Sequence, residues 1–220
     1  MGFVVIISGP HAVGKTTVIK WLANLHPTWQ AVDEIRIDLP TELRFGVKDT
    51  YLSLQGQLWW FCNEIQNMCE MVRLRGTTAS PTIILAERDL FDVLAYSRVR
   101  LGPTDSTIME RGISALQREL LPLCNIKWYD FRIILHCSTE ELVDRAEKRW
   151  PKRAKEWKEN DPDYAEKIID SYLDLAKGLV RCELVETTGQ TVESTAKSVE
   201  EIVLDARKKL VKAPESARDR

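Results

Sequence analysis

The fold is decided between Phe3 and Leu25. The run Phe3-Val4-Val5-Ile6-Ile7-Ser8 leads into Gly9-Pro10-His11-Ala12-Val13-Gly14-Lys15-Thr16, and a helical pattern of Val18, Ile19, Leu22 and Leu25 follows. The middle stretch fits GxxxxGK[ST] in the context that pattern requires, with a strand before it and an amphipathic helix after it. Glycine at both ends lets the backbone curl without a Cβ clash, so that successive N–H groups point inward at phosphate oxygens. Thr16 and Thr17 open a helix whose positive end faces the same anion. Lys15 adds a point charge near the β and γ phosphates, and the Thr16 hydroxyl is a ligand for Mg²⁺. Gly9, His11, Ala12, Val13, Gly14, Lys15, Thr16 and Thr17 are therefore the candidate nucleotide-binding residues. At His11 the backbone is expected to matter and the side chain to be incidental. Chance matches to such a pattern arise in roughly one chain in a hundred of this size, before any strand or helix is demanded around them.

Five short apolar or β-branched runs read as strands: Phe3 to Ser8, Trp29 to Glu34, Thr82 to Ala86, Phe131 to Cys137 and Cys182 to Thr187. Near-continuous hydrophobicity in the first, third and fourth describes strands covered on both faces, hence a parallel sheet between helices. Helical patterns separate them: Lys15 to Leu25, Tyr51 to Leu74, Asp89 to Val99, Thr107 to Leu120, Glu140 to Arg149, Asp163 to Lys177 and Val192 to Val211. In Tyr51 to Leu74 the stripe Leu54, Leu58, Phe61, Ile65, Met68 and Val72 reads as core. The expected fold class is α/β, three layers with a five-stranded parallel sheet flanked by helices, binding its ligands at the carboxyl ends of the strands. One domain is expected over residues 1–212, followed by a polar tail over 213–220.

A second oxygen ligand for magnesium is expected at the end of a neighbouring strand, because Mg²⁺ keeps several waters and takes one or two protein oxygens. Thr82 to Ala86 followed by Glu87 supplies it, and Arg88 beside it offers a cation for transferring or accepted phosphate. Farther on, Ser138 or Thr139 caps a helix on which Arg145 and Arg149 lie four apart. Six cations fall between Arg145 and Lys155. In isolation such a run is a solvated helix face. After the fourth strand of a nucleotide-binding sheet it reads as a lid, over about residues 145–160, that closes on the triphosphate and excludes water.

Composition narrows the function classes. Of 220 residues, 31 are Lys or Arg and 33 Asp or Glu, a net charge of −2, so there is no broad positive field for nucleic acid or anionic lipid. The anion site must be local. Five cysteines, Cys62, Cys69, Cys124, Cys137 and Cys182, form no zinc-ligand spacing and read as small core residues in a reducing compartment. The apolar run Phe3 to Ile7 is too short for a signal segment, and no run approaches the ~20 residues that span a bilayer. The expectation is a cytoplasmic protein.

Taken together, the Gly9 to Thr16 loop, Glu87-Arg88-Asp89 followed by Asp92 and Ala95-Tyr96, the EELxxRxxKR pattern ending at Arg149, and a closing strand and helix around Glu183 to Leu204 resemble the deoxynucleoside kinase and thymidylate kinase branch of the P-loop kinases. The resemblance implies ATP and Mg²⁺ and transfer of the γ-phosphoryl group to a nucleoside or nucleoside monophosphate. It implies roles for Glu87 and Arg88 near the metal and the acceptor, for Arg145 and Arg149 beside the adenine and triphosphate, and for Lys152 or Arg153 as lid cations. Glu34 stands where nucleoside kinases carry the base for the acceptor hydroxyl. Ile35 replaces the usual proline after it, and Asp33 is equally placed. No Arg-Glu-Pro-Gly segment points to thymidylate. Arg88, Asp92, Ala95 and Tyr96 also resemble nicotinamide riboside-type kinases, and a nucleotide-dependent regulatory ATPase is the reading from another class. The acceptor is not legible: Ile35 to Trp60 holds Arg36, Asp38, Arg44, Tyr51, Gln55 and Trp59 without a diagnostic pattern. A small-molecule acceptor is the expected partner, with neither nucleic acid nor membrane. A homodimer is possible through the second face of the Tyr51 to Leu74 helix, if that face is apolar.

Overall fold

The computed structural model describes residues 2–32, 50–77, 82–121 and 127–212. The described residues run β1 (Phe3–Ser8), α1 (Lys15–Leu25), β2 (Gln30–Val32), α2 (Thr50–Thr77), β3 (Ile83–Glu87), α3 (Leu90–Arg100), α4 (Pro103–Ala115), a π-helical turn (Leu116–Leu120), β4 (Phe131–His136), α5 (Thr139–Arg149), α6 (Pro151–Glu156), α7 (Pro162–Ala176), β5 (Cys182–Glu186) and α8 (Val192–Lys212). The strands form an all-parallel sheet in the order β2-β3-β1-β4-β5, helices cover both faces, and the fold is the three-layer α/β arrangement expected.

Side-chain alternation in β1 builds two cores. Phe3, Val5 and Ile7 enter a cluster with Val18, Ile19 and Leu22 of α1 and Ala196, Val199 and Val203 of α8. Val4 and Ile6 enter the opposite one, with Met68 and Met71 of α2, Leu90, Val93 and Leu94 of α3, and Met109 and Ile113 of α4. Residues Val4 to Ile7 are fully buried, and each such side chain contributes about 1.5–3 kcal/mol of transfer free energy. The register pairs Ile7 with Glu87 across β1 and β3, so the phosphate loop and the candidate metal carboxylate leave the sheet side by side.

Several expectations are corrected. Trp29 stays out of β2 because its N–H bonds the carbonyl of His26 at 2.8 Å and its ring stacks on that imidazole at 4.3 Å. Helix α4 starts at Pro103, ahead of the expected Thr107, since proline suits the first helical position after the extended Gly102. A further helix, α6, fills part of the expected lid. In α2, Leu58 is 45% exposed rather than core. The buried face carries Gln57, Asn63, Glu64 and Asn67 beside Met68 and Met71; three of these polar groups find partners, since Ser97 Oγ donates to Gln57 Oε1 at 3.3 Å and Asn67 Nδ2 to Glu64 Oε2 at 2.9 Å, while Asn63 Nδ2 is buried without one. Cys62 and Cys69 are exposed on the outward face with Gln66 and Arg73, so that face is mixed rather than apolar and does not by itself point to a dimer. Cys137 is buried, and burial pushes its thiol up to about 11. Cys124, the candidate bases Asp33 and Glu34, and the 213–220 tail lie outside the described residues. No helix among those described is long and apolar enough to cross a membrane.

Candidate functional site

The site begins at two glycines. Gly9 has φ +141°, and a methyl there would drive into the carbonyl oxygen of Leu135 on β4, so the loop passes against the sheet where a side chain cannot go. Gly14, at φ +108°, precedes α1 and offers no side-chain cap, which leaves the start of the helix to an anion. Ala12 turns the loop between them at φ +55°. Lys15 is buried, and its Nζ donates to the carbonyls of Gly9 at 3.0 Å and Pro10 at 2.8 Å, which holds the ammonium inside the curl of the loop.

The Thr16 hydroxyl donates to Glu87 Oε2 at 2.7 Å. A hydroxyl and a carboxylate from different elements thus meet beside the loop as hard oxygen donors, the chemistry Mg²⁺ takes when phosphates and waters supply the remainder. Among the described residues no group of three or more His, Cys, Asp and Glu makes a metal site of protein ligands alone. Arg88, immediately after Glu87, adopts φ +68°, its N–H donates to the Ile7 carbonyl at 3.2 Å, and its guanidinium lies 3.8 Å from Asp92.

Asp92 anchors the root of the loop. It accepts from Ser8 Oγ at 2.8 Å, from the Gly9 N–H at 3.3 Å and from the Tyr172 hydroxyl at 2.7 Å, and it completes the capping box of α3 with Asp89. Burial pushes the Asp92 carboxyl above its ordinary range, with the Arg88 charge opposing. Beneath it, Arg132 donates to Ser8 Oγ at 2.7 Å and to both oxygens of Asp89 at 2.8 and 2.6 Å. Burial disfavours charge on Asp89, but the Arg132 guanidinium and the N–H groups of Trp128 and Phe91 hold its carboxyl below the usual range.

On the other side of the loop opens a cleft of about 480 Å³ lined by Ala12, Val13, Gly14, Thr17, Val18, Arg145, Lys148, Arg149, Thr187, Gln190, Val192 and Thr195. Arg145 ties it together: Nη1 donates to the Val13 carbonyl at 3.1 Å and Thr187 Oγ1 at 3.0 Å, and Nη2 to Glu141 Oε1 at 2.6 Å and the Thr187 carbonyl at 2.9 Å. Arg149 lines the same cleft with its guanidinium 3.8 Å from the Trp150 ring centroid. Arg153 turns away, donating to Glu159 Oε1 at 3.2 Å and lying over Trp157, and Lys152 is exposed. The structure therefore brings Lys15, Thr16, Thr17, Glu87, Arg88, Arg145 and Arg149 around one loop. Not all six cations of the 145–155 run converge on it. Sequence reasoning missed Thr187, Gln190 and Thr195. The turn signal Thr188-Gly189 just past β5 was the available cue that a loop there meets the site. His11 differs from its expectation: the side chain is buried, and burial followed by the charges of Arg100, Lys15 and Arg88 lowers the imidazole to about 3.

The sequence model of a family described as an AAA domain matches residues 4–188. Among solved structures, thymidylate kinase from Candida albicans superposes with a TM-score of 0.67 at 17% identity, covering 94% of this chain and 92% of that one. Deoxyadenosine kinase from M. mycoides with bound dCTP gives 0.58 at 15% identity, over 92% of this chain and 100% of that one. The same enzyme with dCMP and dCDP gives 0.62 at 14% identity, over 92% and 99%. No curated protein matches the chain. At these identities the likeness is one of fold.

Proposed function

Given that the chain belongs to the AAA domain family, we propose that it is an ATP-dependent kinase that transfers the γ-phosphoryl group to a small acceptor, a nucleoside or nucleoside monophosphate. The observation that carries this reading is the Thr16–Glu87 pair at 2.7 Å beside a GxxxxGK[ST] loop, on a fold shared with thymidylate and deoxyadenosine kinases. Thr16 and Glu87 would hold Mg²⁺, which when bound neutralises charge on the phosphates. The backbone of Gly9 to Thr17 cradles the triphosphate, and the cleft between Thr17, Arg145 and Gln190 takes the purine and ribose. Lys15, Arg88 and Arg149 stabilise negative charge as it spreads over the transferring oxygens, Lys15 by exchanging the Gly9 and Pro10 carbonyls for phosphate. In this reading residues 145–160 form the lid, and Glu34 or Asp33 takes the acceptor proton.

The test is incubation with γ-labelled ATP, Mg²⁺ and a panel of nucleosides, nucleoside monophosphates and nicotinamide riboside. Label should appear in an acceptor, and Lys15→Ala should lower the rate by about a hundredfold or more. The AAA domain match favours a second reading, a regulatory ATPase. Label confined to inorganic phosphate, with hydrolysis accelerated by a macromolecule, would select it and sink the kinase.

A further inference from the structure

His11 belongs to the phosphate loop, yet its side chain packs away from the phosphate cradle and into an aromatic cluster. The ring stacks on Tyr164 of α7 at 6.0 Å and 13°, and lies 6.5 Å from Tyr96 of α3. Arg100 of α3 lies over three rings, Tyr96 at 5.0 Å, Trp157 at 5.5 Å and Tyr164 at 5.8 Å, and its Nε donates to the Tyr164 hydroxyl at 2.9 Å. Trp157 and Glu159 bring the 150–160 segment to the same place. Lys158 turns the chain at φ +56°, the Glu159 N–H donates to the Ala154 carbonyl at 2.8 Å, and Glu159 is buried.

The tautomer of His11 follows from Tyr96. The Tyr96 oxygen accepts the His11 N–H at 2.8 Å and also a hydrogen bond from the Arg88 guanidinium. With its acceptor positions taken, the phenol directs its own O–H to His11 Nδ1, 3.3 Å away. Nδ1 is then the acceptor and Nε2 carries the proton. That Nε2 is buried and has no hydrogen-bond partner, and the Glu159 main chain is the group nearby that favours a proton on the ring. Arg100, Lys15 and Arg88 face the ring as cations, Tyr96 and Tyr164 as neutral hydroxyls, and Glu159 from the lid, so the imidazole stays uncharged.

We propose that His11 is a positioning residue: with Tyr96 it joins the phosphate loop and Arg88 on one side to the 150–160 segment on the other, so that loop geometry and lid position change together. The links are contacts given above: Arg88 to the Tyr96 hydroxyl, that hydroxyl to both the backbone and the ring of His11, the ring to Tyr164, and Arg100 from Tyr96 and Tyr164 to Trp157 of the 150–160 segment. Movement of Trp157 reaches His11 and Arg88 through Arg100 and the two tyrosines. The inference rests on the kinase reading for its purpose, because coupling a lid to the acceptor-side arginine matters where water must be excluded before transfer.

Hydrogen–deuterium exchange on the full chain tests it without any turnover, alone and with Mg²⁺ and the non-hydrolysable analogue AMP-PNP as probe. His11→Phe keeps the stacking and loses both nitrogens, and Tyr96→Phe loses one oxygen. Both should speed exchange of amides 12–17 and 150–160 together, by about tenfold for one net hydrogen bond, with β1 and β4 unchanged. His11→Asn, whose Oδ1 stands at the reach of Nδ1 and accepts the Tyr96 O–H, should return part of the protection that His11→Phe loses. An imidazole ¹⁵N spectrum should show Nε2–H and no titration between pH 5 and 8. Wild-type exchange at 150–160 in both phenylalanine variants, a response in only one of the two segments, or a proton on Nδ1 would overturn the proposal. If His11→Phe does not fold, Tyr96→Phe carries the same comparison. A null result in the labelled-ATP assay leaves the exchange pattern intact, so the two ideas fail separately.

Discussion

At the scale of single residues, the backbone turns of the phosphate loop and the meeting of Thr16 with Glu87 were legible, and the place of the His11 ring was not. The spacing of Gly9, Gly14, Lys15 and Thr16 is a backbone requirement, so the sequence states it directly. The His11 ring depends on Tyr96, Tyr164 and Glu159, which lie 85 or more positions away. The neutral buried ring has a thermodynamic consequence. In the folded chain it stays unprotonated down to about 3, whereas in the unfolded chain it takes a proton below its ordinary 6.5. Between those values the unfolded state binds one more proton, so stability rises with pH and falls as the solution is acidified. His11 should contribute a slope of about 1.4 kcal/mol per pH unit below 6.5. Urea denaturation from pH 4.5 to 7.5 should show that slope in the wild type and a shallower one in His11→Gln. Equal slopes would mean that the ring is solvated in solution.

At the scale of elements, β1, β3, β4 and the helices that flank them were read within a few residues, because the periods of two and 3.6 follow from which faces must be buried. Helix α2 was misread in its facing. Its apolar residues recur at helical spacing, yet Gln57, Asn63, Glu64 and Asn67 take the inner face and Leu58 the outer one, and only the identity of the opposing groups decides between two stripes of similar spacing. The other element-level feature hidden from sequence is the joint between β4, β3 and α3. Arg132 is 2% exposed, stacks on Phe91 at 4.4 Å and Tyr129 at 4.9 Å, and binds the Asp89 that caps α3. Arg132→Leu strands a buried carboxylate and should destabilise the chain by about 3–5 kcal/mol. Arg132→Leu with Asp89→Ser keeps a helix cap and removes both charges, and it should recover most of that loss. Urea midpoints of the single and double variants measure the coupling, and simple additivity would contradict the pairing.

At the scale of the whole molecule, the loop, the Glu87 end of β3 and the Arg145–Thr187 cleft draw on elements spread along the chain, so a nucleotide that engages them all should stabilise the entire fold by mass action. With Mg²⁺ present, ATP at a hundred times its dissociation constant should add about 2.7 kcal/mol, roughly 5–10 °C in the melting midpoint. Chelation with EDTA should remove most of the shift, and Lys15→Ala should show little of it. A shift of equal size without metal would argue against Thr16 and Glu87 as its ligands. By itself the sequence determined the α/β class, the parallel sheet and the position of the phosphate loop, since these follow from local periodicity and from backbone geometry that only glycine permits. The tertiary structure alone decided which charges share a site. It set Arg145 on the loop backbone, turned Arg153 to Glu159, buried Arg132 against Asp89 and wedged His11 between α3 and α7. Those pairings join residues far apart in sequence, and the balance between desolvation and partner that fixes each one exists only once the chain has folded.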